Sequence, residues 1–189
     1  MIKTNTVLDA KGLACPMPIV KTKKAVQNLA PGEVVEVQAT DQGSTADLEA
    51  WAKSSGHQYL GTVEEGDVLK HYVRKGSSEE EKQEIHHDQI INNEELEQKL
   101  DRNENIVVVD VREQAEYAFH HIPGAVSIPL GEMEDRLGEL NKEDDIYVVC
   151  RTGKRSDLAC RQLVEQGFSN VTNVLPGMSE WQNNEGEGK

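Results

Sequence analysis

Beyond residue 93 the chain repeats one pattern, an amphipathic stretch followed by a short run rich in β-branched residues. Glu94–Leu100, Glu113–Phe119, Met133–Leu140 and Lys154–Gln166 carry helical spacing, while Ile106–Asp110, Ala125–Ile128, Ile146–Val149 and Val171–Val174 read as strands. Continuous apolar runs leave a strand no wet face, so the sheet they build is parallel and covered by helices on both faces. Sheets of this kind bind ligands beyond the carboxyl ends of their strands. The residues just past the end of each run therefore matter more for function than the run itself.

The first 75 residues are patterned differently. A strand at Val7–Asp9 precedes a helix reaching about Asn28, then come a strand Val34–Ala39, a helix Thr45–Ser54, and strands at Tyr59–Glu64 and Val68–Arg74. This βαβαββ order predicts a small two-layer sandwich. Ile19, Val26 and Leu29 share one face of the first helix, with Lys21 and Lys24 elsewhere, so that helix can pack one side on the sheet. Between the halves, residues 76–84 are polar and lack apolar periodicity, which is linker composition. The expected organisation is an α/β chain with domains at 1–75 and 85–189.

Charge separates the halves as well. Residues 1–75 hold 9 basic and 9 acidic side chains, and the rest holds 11 and 25, so the whole net charge of −14 lies beyond residue 75. Such a surface repels phosphate, which argues against nucleic acid as a partner. No apolar run approaches the ~20 residues of a membrane-spanning helix, and the first residues lack the apolar core of a signal peptide. Three cysteines scattered along the length make free thiols in a reducing, cytoplasmic setting the simpler reading. The pairs His86-His87 and His120-His121 have no cysteine at zinc-like spacing, and neither a metal nor another cofactor is expected.

Cys150 ends the run Ile146-Tyr147-Val148-Val149 and opens Cys150-Arg151-Thr152-Gly153-Lys154-Arg155-Ser156, after which helical spacing resumes. A thiol at such a strand-to-helix turn faces unpaired backbone N–H groups and the positive end of the helix. With Arg151, Lys154 and Arg155 beside it, the turn suits a thiolate or a bound anion. A buried structural cysteine would be flanked by apolar residues rather than three cations and a glycine. Cys160, in the next apolar stretch, reads as core packing.

Cys150 and its loop do not stand alone. Val109-Asp110-Val111-Arg112-Glu113, Glu116-Tyr117, His121-Ile122-Pro123-Gly124-Ala125, the Cys150 loop and Gly177-Met178-Ser179-Glu180-Trp181 succeed one another in order. Over roughly residues 85–184 the chain resembles a single-domain rhodanese, departing at His120, where the family usually carries glycine. The resemblance implies a sulfurtransferase with a persulfide on Cys150. Four residues separate Cys150 from Arg155, whereas related cysteine phosphatases use five, so the tighter ring favours sulfur over phosphoryl transfer. Arg151, Thr152, Gly153, Lys154 and Arg155 are the expected substrate-binding loop, its cations holding the anionic end of a small donor such as thiosulfate. Asp110, Arg112 and the His121–Gly124 turn read as structural.

In the first half, Cys15-Pro16-Met17-Pro18 stands where the first helix begins. Proline is tolerated in a first turn, whose N–H groups have no partner, and Cys15 then sits near the helix cap with its thiolate favoured by the dipole. The order Asp9, Gly12-Leu13, Cys15-Pro16-x-Pro18, Lys23-Lys24-Ala25, Gly32-Glu33, Thr40-Asp41, Asp47 and Gly56-His57 resembles the TusA-like sulfur carriers. That likeness implies a persulfide on Cys15 handed to an acceptor protein. Lys21, Lys23 and Lys24 are either a docking surface or a solvated face. Two readings stay open: a sulfurtransferase in which Cys150 and Cys15 both act, or a carrier that needs a partner enzyme for catalysis.

Overall fold

Four strands, with two one-sided helices laid over them, make the first unit. In the computed structural model, which describes residues 1–182, the strands are β1 (Thr6–Ala10), β2 (Val34–Ala39), β3 (Gln58–Glu65) and β4 (Val68–Arg74). They lie in the order β1-β2-β4-β3, with β1 parallel to β2 and the other pairings antiparallel. Helices α1 (Met17–Gln27) and α2 (Ser44–Ser54) supply Val26, Leu48 and Ala52 to a core shared with Ala10, Val35, Val37 and Val73. Pro16 and Pro18 open α1 without a side-chain cap, in the first turn where a missing N–H is harmless. The expected βαβαββ sandwich is the observed one.

Among the buried polar groups of this unit, one is an imidazole. His71 on β4 is fully buried; its Nε2 lies 2.8 Å from Ser44 Oγ, which donates to Asp41 O, and its Nδ1 lies 2.9 Å from both Tyr59 OH and Thr62 Oγ1. Because Ser44 gives its proton to Asp41, the ring donates at Nε2, and in the neutral form Nδ1 accepts from a hydroxyl. Burial accordingly pushes its pKa down to about 4.

The second compact unit runs from Glu79 onward, and the first covers Met1–Ser78. Part of the polar stretch of linker composition is helical. Ser78–Lys82 forms the short helix α3, Glu80 Oε1 pairs with Arg155 Nε at 3.1 Å, and Lys154 Nζ donates to Glu81 O. Composition signals only the lack of an apolar stripe, and these contacts are ionic and long-range. The last residues of the expected second domain, 183–189, lie outside the described residues.

Five parallel strands form its sheet in the order β5-β9-β8-β6-β7: β5 (Ile90–Asn92), β6 (Ile106–Asp110), β7 (Val126–Ser127), β8 (Asp145–Val149) and β9 (Val171–Leu175). Helices α4 (Asn93–Asp101), α5 (Gln114–Phe119), α6 (Met133–Arg136) and α7 (Lys154–Glu165) connect them. Successive strand residues feed opposite faces: Val109, Ile146 and Val148 join Met133, Cys160 and Leu163, while Val108, Val149 and Val174 join Leu96, Ile122 and Trp181. The two cores are the helices on both faces that the apolar runs required.

Three local differences have physical causes. β5 escapes sequence reading because it is three residues long and buries only Ile91; its pairing comes from β9, and a capping box between Asn92 and Glu95 turns it directly into α4. The expected helix over Met133–Leu140 is one α-turn between two 3₁₀ turns, where Arg136 grips Glu132 at 3.1 Å and Glu139 at 2.7 Å. The strand around Ala125 shrinks to two paired residues at the sheet edge.

Candidate functional site

Cys150 comes directly after β8, and two glycines make room for its loop. Gly153 has φ +88°, and a Cβ there would lie 1.9 Å from Leu175 Cδ2. Gly177 has φ +92°, and its Cβ would meet Cys150 O at 2.4 Å. The turn after β9 is stitched to the loop from that side, Met178 N donating to Cys150 O at 2.8 Å and Ser179 N to Arg151 O at 2.9 Å. Loop and turn hold each other's backbone, leaving residues 151 and 152 exposed above.

Cys150 is 1% exposed. Gly153 N donates to Cys150 Sγ at 3.1 Å, and Ser156 Oγ in the first turn of α7 lies 3.3 Å away. Ser156 donates to Asn173 Oδ1 at 2.6 Å, and Asn173 Nδ2 donates to Gly153 O at 3.1 Å. Sulfur, loop amide, hydroxyl and amide side chain thus form one closed set at the N-terminus of α7, where negative charge is favoured. Sequence reasoning does not single out Ser156 or Asn173; the available signal is a polar residue at a strand position between the apolar Val171 and Val174.

The loop's three cations have three different situations. Arg151 is exposed. Lys154 is half-buried and engaged at Glu81 O. Arg155 points inward, giving Glu116 two hydrogen bonds at 2.8 and 2.9 Å, with Glu80 on its third nitrogen. Burial opposes its charge, yet the Glu116 carboxylate holds the guanidinium firmly protonated. Glu116 is fixed in turn by the Glu113 amide at 2.9 Å through a capping box at the start of α5. The cation expected to face a donor is therefore built into the floor of the loop, and the cause is a carboxylate 39 positions upstream.

Around the loop, several side chains hold one another and the backbone. Arg112 Nε and Nη2 clasp Asp110 at 2.7–3.1 Å, and Arg112 Nη2 also donates to His120 O at 2.6 Å. His121 stacks on Tyr117 with ring centroids 3.9 Å apart. His86 and His87 donate their backbone N–H groups to Asp157 Oδ1 at 2.9 and 2.7 Å. Cys160 is buried among apolar residues, and burial first, then the Asp157 charge, pushes its thiol far up.

Cys15 stands just before α1 in the first unit and is exposed, as its position implied. Its electrostatics differ from the expectation. Sγ donates to Asp47 Oδ2 at 3.1 Å, and that hydrogen bond, then slight desolvation and the charges of Asp47 and Asp41, raises the thiol pKa rather than lowering it. Helix-dipole reasoning considers only α1; the deciding group comes from α2, 32 positions away.

Residues 6–75 match the family described as Sulfurtransferase TusA, and residues 92–184 match the Rhodanese-like domain. "Putative sulfur carrier protein YrkF" of Bacillus subtilis is 55% identical over 181 residues, 96% of this chain and 97% of that protein. The chain is a TusA–rhodanese fusion. The halves of the fusion also match single proteins of Allochromatium vinosum. "Sulfurtransferase" is 37% identical over 91 residues, covering 48% of this chain and 85% of its own length. "Sulfur carrier protein TusA" is 41% identical over 68 residues, covering 36% of this chain and 90% of its own length. The fusion thus joins a TusA unit of the sulfur-carrier family to a rhodanese unit homologous to sulfurtransferases, and no described helix is long and apolar enough to cross a membrane.

Proposed function

We propose that the fusion moves sulfane sulfur as a cysteine persulfide on Cys150 and Cys15, from a small donor such as thiosulfate or a persulfide to a thiol acceptor in the reducing cytoplasm. The carrying observation is that Cys150 Sγ accepts the Gly153 N–H at 3.1 Å at the head of α7, with exposed Arg151 beside it. Arg151 and Thr152 meet the donor, Gly153 and the helix end stabilise the anionic sulfur, and Lys154 and Arg155 hold the loop in shape. With thiosulfate, the Cys150 thiolate forms a bond to the outer sulfur, the S–S bond breaks, and sulfite leaves with the electron pair. An acceptor thiolate then attacks the outer sulfur of the persulfide and regenerates Cys150 as thiolate. No oxidant or reductant is consumed.

Fusion keeps the second thiol at high effective concentration. The test is sulfur mapping by mass spectrometry on wild-type, Cys15→Ser and Cys150→Ser chains incubated with thiosulfate. Sulfur on Cys15 that vanishes in Cys150→Ser establishes a relay and its direction; no sulfur on either cysteine overturns the proposal. A second reading, a carrier that turns over slowly with free donors and relies on a partner enzyme, is favoured by Lys154 and Arg155 being committed to Glu81 and Glu116. Steady thiocyanate formation from thiosulfate and cyanide by the isolated chain, lost in Cys150→Ser, rejects it.

A further inference from the structure

The two sulfur sites differ in the charge that faces the sulfur. Cys150 Sγ receives a hydrogen from the Gly153 amide, whereas Cys15 Sγ gives its own to a carboxylate, each at 3.1 Å. Asp47 lies in the first turn of α2, where the positive helix end favours carboxylate over carboxylic acid. The shared proton therefore rests on sulfur. A thiolate here faces Asp47 on α2 and Asp41 in the loop before it, and both work against its charge. The nearby cations are engaged at Asp9 rather than at the sulfur: Lys11, just after β1, pairs with its carboxylate at 3.8 Å, and Lys21 Nζ on α1 reaches its carbonyl at 3.5 Å.

We propose that Asp47 is a positioning residue that holds Cys15 as a protonated resting thiol, released when a cationic group of the sulfur-exchanging partner pairs with Asp47. On release the Cys15 proton passes to solvent, and the thiolate attacks the outer sulfur of the donor persulfide. The donor's S–S bond breaks and the donor leaves as thiolate, while Cys15 becomes the persulfide. Its anionic outer sulfur then faces the same carboxylates, so sulfur on Cys15 is disposed to move on, and an exposed thiol resists electrophiles between deliveries. The inference rests on the reading of Cys15 as a carrier, but its test uses no sulfur donor, so the two fail separately.

The full-length wild-type, Asp47→Asn and Asp47→Lys chains are alkylated with iodoacetamide across pH, and the Cys15 peptide is tracked by mass spectrometry. The midpoint of the Cys15 rate profile falls in Asp47→Asn and falls further in Asp47→Lys, which imitates the paired state. For each pH unit of that fall, thiolate at neutral pH rises about tenfold, and reduced nucleophilicity trims the rate gain to about threefold. A midpoint unmoved in Asp47→Asn, or no lower in Asp47→Lys than in Asp47→Asn, overturns the proposal. The wild-type chain gives a second measurement independent of folding of the variants. Raising salt from about 0.01 M to about 1 M shortens the Debye length from about 30 to about 3 Å and lowers the midpoint. A midpoint that salt leaves in place or raises also overturns it.

Discussion

Replacing Gly153 with alanine isolates what the Cys150 loop demands of its backbone. At φ +88° an L-residue is strained by about 1–2 kcal/mol. The added Cβ would also stand 1.9 Å from Leu175 Cδ2, so Leu175 must move, an overpacking cost of about 1–3 kcal/mol. Gly153→Ala should therefore destabilise the second unit by about 2–5 kcal/mol, a large part of the ~5–15 kcal/mol typical of a domain. Leu175→Ala removes the clashing atom and leaves the dihedral strain, so the double variant should recover about 1–3 kcal/mol relative to additivity. Urea unfolding in a Trp51→Phe background reads this out cleanly, because Trp181 is then the sole indole and sits 8% exposed in the second unit. A cost below about 1 kcal/mol, or strict additivity with Leu175→Ala, would refute the steric account.

Two more expected outcomes concern buried polar groups. Glu116→Gln leaves Arg155 charged in a buried site with Glu80 as its remaining anion, so stability should fall by up to ~3–5 kcal/mol and sulfur loading of Cys150 should fall with it; unchanged unfolding and loading count against the clamp. His71 is held neutral, its pKa about 4 in the folded chain against 6.5 unperturbed, so the unfolded chain takes the proton first. Its contribution is complete above pH 6.5 and declines as pH falls toward 4, by about 3 kcal/mol in all. Urea midpoints of wild type and His71→Gln between those pH values check this, and parallel slopes would contradict it.

The architecture is legible in the sequence because its determinants are local. Val107–Val109 and Ile146–Val149 are apolar on both sides of the strand, which forces helices onto both faces, and the Cys150 turn arises from a thiol placed where a strand stops and a helix starts. What stays hidden depends on partners far along the chain. Arg155 reads as a donor-binding cation without Glu116 beneath it, and Cys15 reads as activated without Asp47 beside it. A sequence shows that a residue carries charge but not which opposite charge folding delivers. The short strand β5 and helix α3 escape for the same reason, since neither is stable without β9 or Arg155 to receive it.

The way the second unit begins has a mechanical consequence. Glu80 and Gln83 grip Arg155 and Lys154, and the backbone at His86 and His87 is tied to Asp157, all within the first turn of α7. Four successive anchors therefore fix the segment before β5 to the base of the Cys150 loop. The segment that opens the second unit thus ends on the same helical turn that shapes the Cys150 loop, so cutting or loosening it would free the base of that loop.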